Sequence, residues 1–188
     1  VVSIEPGDIP EYPASDPLSL MKFQRDVERS VYNWVQKARQ GVGGTVKAAL
    51  SNAGASKPAL NPFAAPGQRM MDFCRGVLST NLPASSYHPG VVSAPLHEML
   101  PEHVRLRLKY AFPQIGNKMR GYYTNDALLL GVESRTSSPV RIPRDPETLQ
   151  HTQLSGLYPC GEGAGYSGGI VSSALDGINC AERIANGR

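Results

Sequence analysis

The chain has 188 residues, 40% hydrophobic and 19% charged, with a formal net charge of +3. That balance describes a folded globular chain of one large or two small domains and excludes a disordered or low-complexity one. No Lys/Arg run marks a nucleic-acid footprint, no apolar run reaches the ~18–20 residues of a membrane span, and no secretory pattern opens the sequence.

Val1–Ile4 reads as a short strand, broken by Pro6-Gly7 and a proline-spaced segment through Pro17. The sequence starts inside this apolar run without Met, which predicts a segment cut from a longer protein. Phe23, Val27, Val31, Trp34, Val35 and Ala38 then recur at three- and four-residue spacing, predicting a helix over Ser19–Gln40. Trp34 falls in that apolar stripe, so core packing outweighs a role in stacking on a ligand. From Gly41 to Gly67 the composition shifts to Gly, Ala, Ser, Asn and Pro, predicting a long connection with a helical turn at Thr45–Leu50.

A helix is expected over Gly67–Leu78, a short turn at Leu96–Leu100, and a further helix over Pro101–Phe112 with Val104, Leu108, Ala111 and Phe112 inward. After Pro113 the pattern changes to strands: "MRGYYTN", "ALLLGVES", "PVRIP" at an edge, and "GLYPC". A closing helix follows, with Ile170, Ala174, Gly177, Ile178, Ala181 and Ile184 along one stripe. The three cysteines, Cys74, Cys160 and Cys180, form no C-x-x-C or zinc pattern. They are read as buried, inert thiols in a reducing cytoplasm, with no metal site and no redox partner for Cys160.

Between the last strand and the last helix, two motifs overlap. Gly163–Gly168 reads G-x-G-x-x-G and Gly165–Gly169 reads G-x-S-x-G. The first needs a second parallel strand and an acidic residue about 20 positions on, and no such strand follows within these residues. The second needs a base, yet all four histidines (His88, His97, His103 and His151) precede Ser167, so a serine hydrolase is a minor alternative. A glycine turn into a helix also offers free N–H groups and a positive dipole end to an anion or a polar carbonyl. The residues leave that reading level with a tight loop whose glycines serve only the backbone.

"GLYPCGEGAGYSGGIVSSALDGI" resembles the C-terminal segment of bacterial FAD-dependent dehydrogenases, the uncharacterised NAD(FAD)-utilising dehydrogenase family. The resemblance continues through "GVESRTSSPVRIPRD" and more weakly to "APGQRMMDF" and "LPEHVRLRLKYAFPQI". It implies an FAD-dependent oxidoreductase, with NAD(P)H as a candidate electron donor. Gly161, Glu162 and Gly163 would be the acid-bearing turn at the cofactor's ribityl or phosphate region. Gly168, Gly169 and Ile170 would open a helix aimed at the flavin. Arg135, Ser137 and Ser138 would line the flavin's re-entry loop or hold an anionic substrate, with a plain surface turn as the alternative.

The N-terminal Rossmann unit of such proteins has no counterpart in these residues, so the resemblance implies a missing FAD-binding partner domain of the same polypeptide. The expected architecture is α+β: a mainly helical substrate or cap part over residues 1–124, and residues 125–188 completing an FAD domain, inactive alone. A stand-alone anion-binding or interaction module is the alternative of another class.

Overall fold

The computed structural model describes residues 2–40 and 61–186, so the expected helical turn at Thr45–Leu50 lies outside the described residues. Among the described residues, five helices and a small mixed sheet make an α+β fold. They are α1 (Ser19–Arg39), β1 (Ala65–Arg69), α2 (Met70–Arg75), β2 (Val91–Ser93), α3 (Leu96–Met99), α4 (Glu102–Lys118), β3 (Leu128–Leu130) and α5 (Ile170–Asn186). The chain divides into two compact units. One holds Val1–Ser3 with Asp26–Glu133, the other Ile4–Arg25 with Ser134–Arg188. No helix among the described residues is long and apolar enough to cross a membrane.

The first unit is built on a sheet of order β2-β1-β3, with β1 parallel to β2 and antiparallel to β3. Gly67 pairs with Ser93 on one side and Leu130 on the other. A Cβ at Gly67 would lie 2.4 Å from Val91 Cγ1 and 3.3 Å from Leu129 O, so the glycine is what lets three strands close up here. This corrects the expected helix over Gly67–Leu78: Ala65–Arg69 is a strand, and the helix is confined to Met70–Arg75. The helix stops at Gly76, whose φ of 74° is left-handed and whose N–H donates to Asp72 O and Phe73 O.

Met70, Phe73, Cys74, Leu96 and Phe112 form the core below the sheet. Phe73 and Phe112 meet edge to face at 5.9 Å between ring centroids, a favoured aromatic geometry. In α4, Phe112 is buried and Val104, Leu108 and Ala111 are half-buried, as their spacing predicts. The helix nevertheless runs through Pro113 to Lys118, where strands were expected, and "MRGYYTN" is a series of turns. Although β1-α2-β2 is a parallel crossover, its helix has six residues and no glycine fingerprint opens it, so it is no Rossmann unit.

The second unit contains the start of α1, the loops after Ser134, and α5. Asp16 prepares the start of α1: its Oδ1 accepts from Leu18 N–H at 2.9 Å, its carbonyl accepts from Ser19 N–H, and its carboxylate pairs with Lys22. Ile9 is buried, and Tyr12 packs edge to face on Phe23 at 5.6 Å. Neither "PVRIP" nor "GLYPC" forms a strand. The described pairing in this region is one isolated bridge, Arg144 to His151. Pro139, Pro143 and Pro159 remove ladder donors from both segments, whose carbonyls go elsewhere: Ile142 O accepts from Tyr166 Oη, and Pro159 O from Arg144.

Candidate functional site

The glycine loop after Cys160 sits in the second unit, between the segment 138–144 and α5. Gly161 (φ 71°) and Gly165 (φ 80°) take left-handed conformations, and Gly165 N–H and Tyr166 N–H donate back to Glu162 O and Gly161 O. The loop packs on its neighbour closely: a Cβ on Gly165 would lie 2.5 Å from Val140 O and 2.9 Å from Arg141 Cα. Ile142 N–H donates to Ala164 O at 3.1 Å, and Ala164 is buried. Ser138 Oγ donates to Val140 O at 2.8 Å and also reaches Gly163 O at 3.4 Å. Of the substrate candidates, Ser138 thus touches the loop, whereas Arg135 and Ser137 are exposed.

Arg144 is the hub holding loop to helix. Its Nη1 and Nη2 donate to Asp176 Oδ2 and Oδ1 at 3.0 and 2.7 Å, a bidentate pair, and Nη1 also donates to Pro159 O at 2.8 Å. The same guanidinium lies 3.6 Å from the Tyr166 ring centroid, and that of Arg141 lies 4.3 Å from it. Asp176 Oδ2 also accepts from Gly161 N–H at 2.8 Å. Hydrogen bonds from Arg144 first, and from Gly161, hold the Asp176 carboxyl below its ordinary pKa against the opposing effect of burial. Beside this hub, Arg141, Pro143, Arg144, Pro146, Leu149 and Tyr166 line an open cleft of about 500 Å³.

The face of α5 turned to the loop carries Ser173, Asp176, Gly177 and Cys180, which are half-buried or buried. Most of the expected apolar stripe points the other way. Ile170 is 92% exposed and Val171 71%, and Leu175 and Ile178 are more than half exposed. Glu162, Gly163, Gly168 and Gly169 are exposed as well. Gly163 has no positive φ, and a Cβ there would meet nothing within 4 Å. Nothing among the described residues therefore demands a glycine at 163. Ser167 Oγ shares a hydrogen bond with Ser173 Oγ at 2.8 Å, a hydroxyl rather than a general base. In the same unit, His151 Nδ1 accepts from Gln153 N–H and Leu154 N–H.

Sequence reasoning missed Arg144 and Tyr166, and the pairing of Asp176 with Arg144. The available signal was Asp176 itself, an acid set among the small and apolar residues of a helix. It also read all three cysteines as buried and inert, whereas Cys160 is exposed and only Cys74 and Cys180 are buried.

Residues 45–136 match the family model described as "FAD-dependent protein, C-terminal domain-like". That stretch is similar to the C-terminal domain of an FAD-dependent protein family, and it contains the sheet of the first unit together with Arg135. The glycine loop lies beyond it. Over 186 residues, 98% of this chain, the sequence is 37% identical to an uncharacterised protein of Clostridium beijerinckii. The chain spans 30% of that relative's length.

Proposed function

We propose that this chain is the C-terminal portion of an FAD-dependent oxidoreductase, with the glycine loop and the start of α5 forming part of its flavin site. The observation that carries the reading is the match of residues 45–136 to the C-terminal domain of an FAD-dependent protein family. The open, exposed backbone at Gly163, Gly168 and Gly169 supports it. Gly161, Glu162 and Gly163 would hold the ribityl or phosphate region of FAD, Gly168, Gly169 and Ile170 would face the ring, and Arg135, Ser137 and Ser138 would lie on the substrate side. FAD supplies the electron or hydride transfer.

The chain's own contribution is binding and charge. A helix N-terminus stabilises negative charge by about 0.3–1 kcal/mol, more when partly buried. The Arg144–Asp176 pair acts one step removed, fixing the loop through Gly161. An FAD-binding domain of the same polypeptide is the proposed partner, with residues 125–188 completing it and residues 1–124 forming the cap. The exposed Ile170, Val171, Leu175 and Ile178 offer an apolar face for such a domain.

The test is the visible absorbance of the purified full-length protein. Bands of bound flavin are expected, and Glu162→Ala is expected to lower flavin occupancy. A colourless protein that takes up no added FAD overturns the reading, and full occupancy in Glu162→Ala removes Glu162 from the site.

A further inference from the structure

Cys160 and Cys180 are 20 positions apart in sequence, and the loop anchors bring them together. Both neighbours of Cys160 are tied to the face of α5 that carries Cys180. Arg144 Nη1 donates to Pro159 O at 2.8 Å and contacts Cys180 Sγ at 3.5 Å. Gly161 N–H donates to Asp176 Oδ2 at 2.8 Å, one helical turn before Cys180. Burial first, with Asp176 and the neighbouring Cys160 thiol adding to it and Arg144 opposing, pushes the Cys180 thiol above its ordinary pKa. A disulfide spans Cα atoms only about 4.4–6.8 Å apart, and the ties at Pro159 and Gly161 hold the backbone on both sides of Cys160 to the face of α5 that carries Cys180.

The two sulfurs differ in the way a redox pair requires. Cys160 is exposed and open to a reagent, while Cys180 is 3% exposed and shielded from one. We propose that Cys160 and Cys180 form a reversible disulfide that staples the entrance of the glycine loop to α5. This goes beyond the flavin reading and does not depend on it.

The oxidant is a low-molecular-weight disulfide of the glutathione type. The Cys160 thiolate attacks one of its sulfurs, forming a mixed disulfide and releasing one thiolate. The Cys180 thiol, which burial holds protonated against the pull of Arg144, then gives up its proton, attacks the Cys160 sulfur and releases the second thiolate. The two protein thiols lose two protons and two electrons, and the small disulfide leaves as two thiols. Gly161 and Glu162 follow Cys160 directly, so oxidation fixes covalently the turn that Arg144 and Asp176 otherwise hold.

No Lys or Arg stands between Asp145 and Arg183, so trypsin releases both cysteines in one peptide, while Cys74 leaves in Met70–Arg75. The folded full-length protein is treated with glutathione disulfide, quenched in acid, alkylated and digested. The expected Asp145–Arg183 peptide is unalkylated and about 2 Da lighter, with Cys74 alkylated and the change reversed by dithiothreitol. Cys180→Ser is expected to accumulate the mixed disulfide at Cys160, and Cys160→Ser to leave Cys180 alkylated. Wild-type protein that keeps a mixed disulfide on Cys160 with Cys180 alkylated overturns the proposal. So does alkylation of both, or closure only when Cys74 is oxidised too, which would report an unfolded chain.

Discussion

Asp176 accepts both nitrogens of Arg144 and the Gly161 N–H, and its side chain is 15% exposed against 10% for Arg144. Removing one partner of such a pair leaves the other charge stranded. Asp176→Ala is therefore expected to destabilise the second unit by about 2–4 kcal/mol in urea unfolding, and an unchanged midpoint would mean water replaces the carboxylate at no cost. In the first unit, Gln68 is fully buried and its amide orientation is fixed. Oε1 accepts from His97 N–H, while Nε2 faces Val77 O and His97 Nδ1, each at 2.7 Å. His97 Nδ1 must then accept, which a protonated ring cannot do. Burial, first, lowers the His97 pKa below 6.5, with Arg105 and Lys109 adding to it and Glu98 opposing. Because the unfolded chain binds the proton more readily, the neutral ring's contribution is complete above the unfolded value. It is lost as pH falls through 6.5 towards the folded pKa. Unfolding midpoints at about pH 8 and about pH 5 should show this loss, and His97→Asn should remove much of the difference.

At the scale of elements, the glycine loop separates what folding requires from what a ligand requires. Gly165 has a left-handed backbone and no room for a Cβ, so Gly165→Ala is expected to cost about 1–3 kcal/mol and lower the melting temperature. Gly163 has neither constraint. Gly163→Ala should leave the melting temperature unchanged, and on the flavin reading proposed above it should reduce flavin occupancy; equal occupancy would take Gly163 out of the proposed site. The same contrast explains what the sequence disclosed. Helices α1 and α4 were visible because Val31, Val35, Leu108 and Phe112 repeat at the helical period and face a core. Strand β1 was hidden because Pro66, Gly67 and Gln68 give it no alternating apolar signal; it exists through Gly67's tight neighbours and Gln68's buried partners. The glycine loop was legible as a turn into a helix, whereas the Arg144–Asp176 hub links residues 32 positions apart and leaves no local periodicity.

For the whole molecule, the decisive feature is the outward face of α5. Helices in folded proteins turn their apolar stripe to a core, yet Ile170, Val171, Leu175 and Ile178 are exposed while Asp176 and Cys180 face inward. Burial at about 25 cal/mol per Å² makes covering this face strongly favourable when a complementary surface is present. The relative from Clostridium beijerinckii has more than three times the length that this chain spans, leaving ample polypeptide to supply one. If a domain of the same polypeptide packs there, backbone amides of Ile170–Ile184 should exchange hydrogen more slowly in the full-length protein than in the 188-residue chain. The amides of α4, whose Phe112 is already buried, should change little. Equal exchange along α5 in the two proteins would show that its apolar face stays open, and would remove the packing argument for the proposed partner domain.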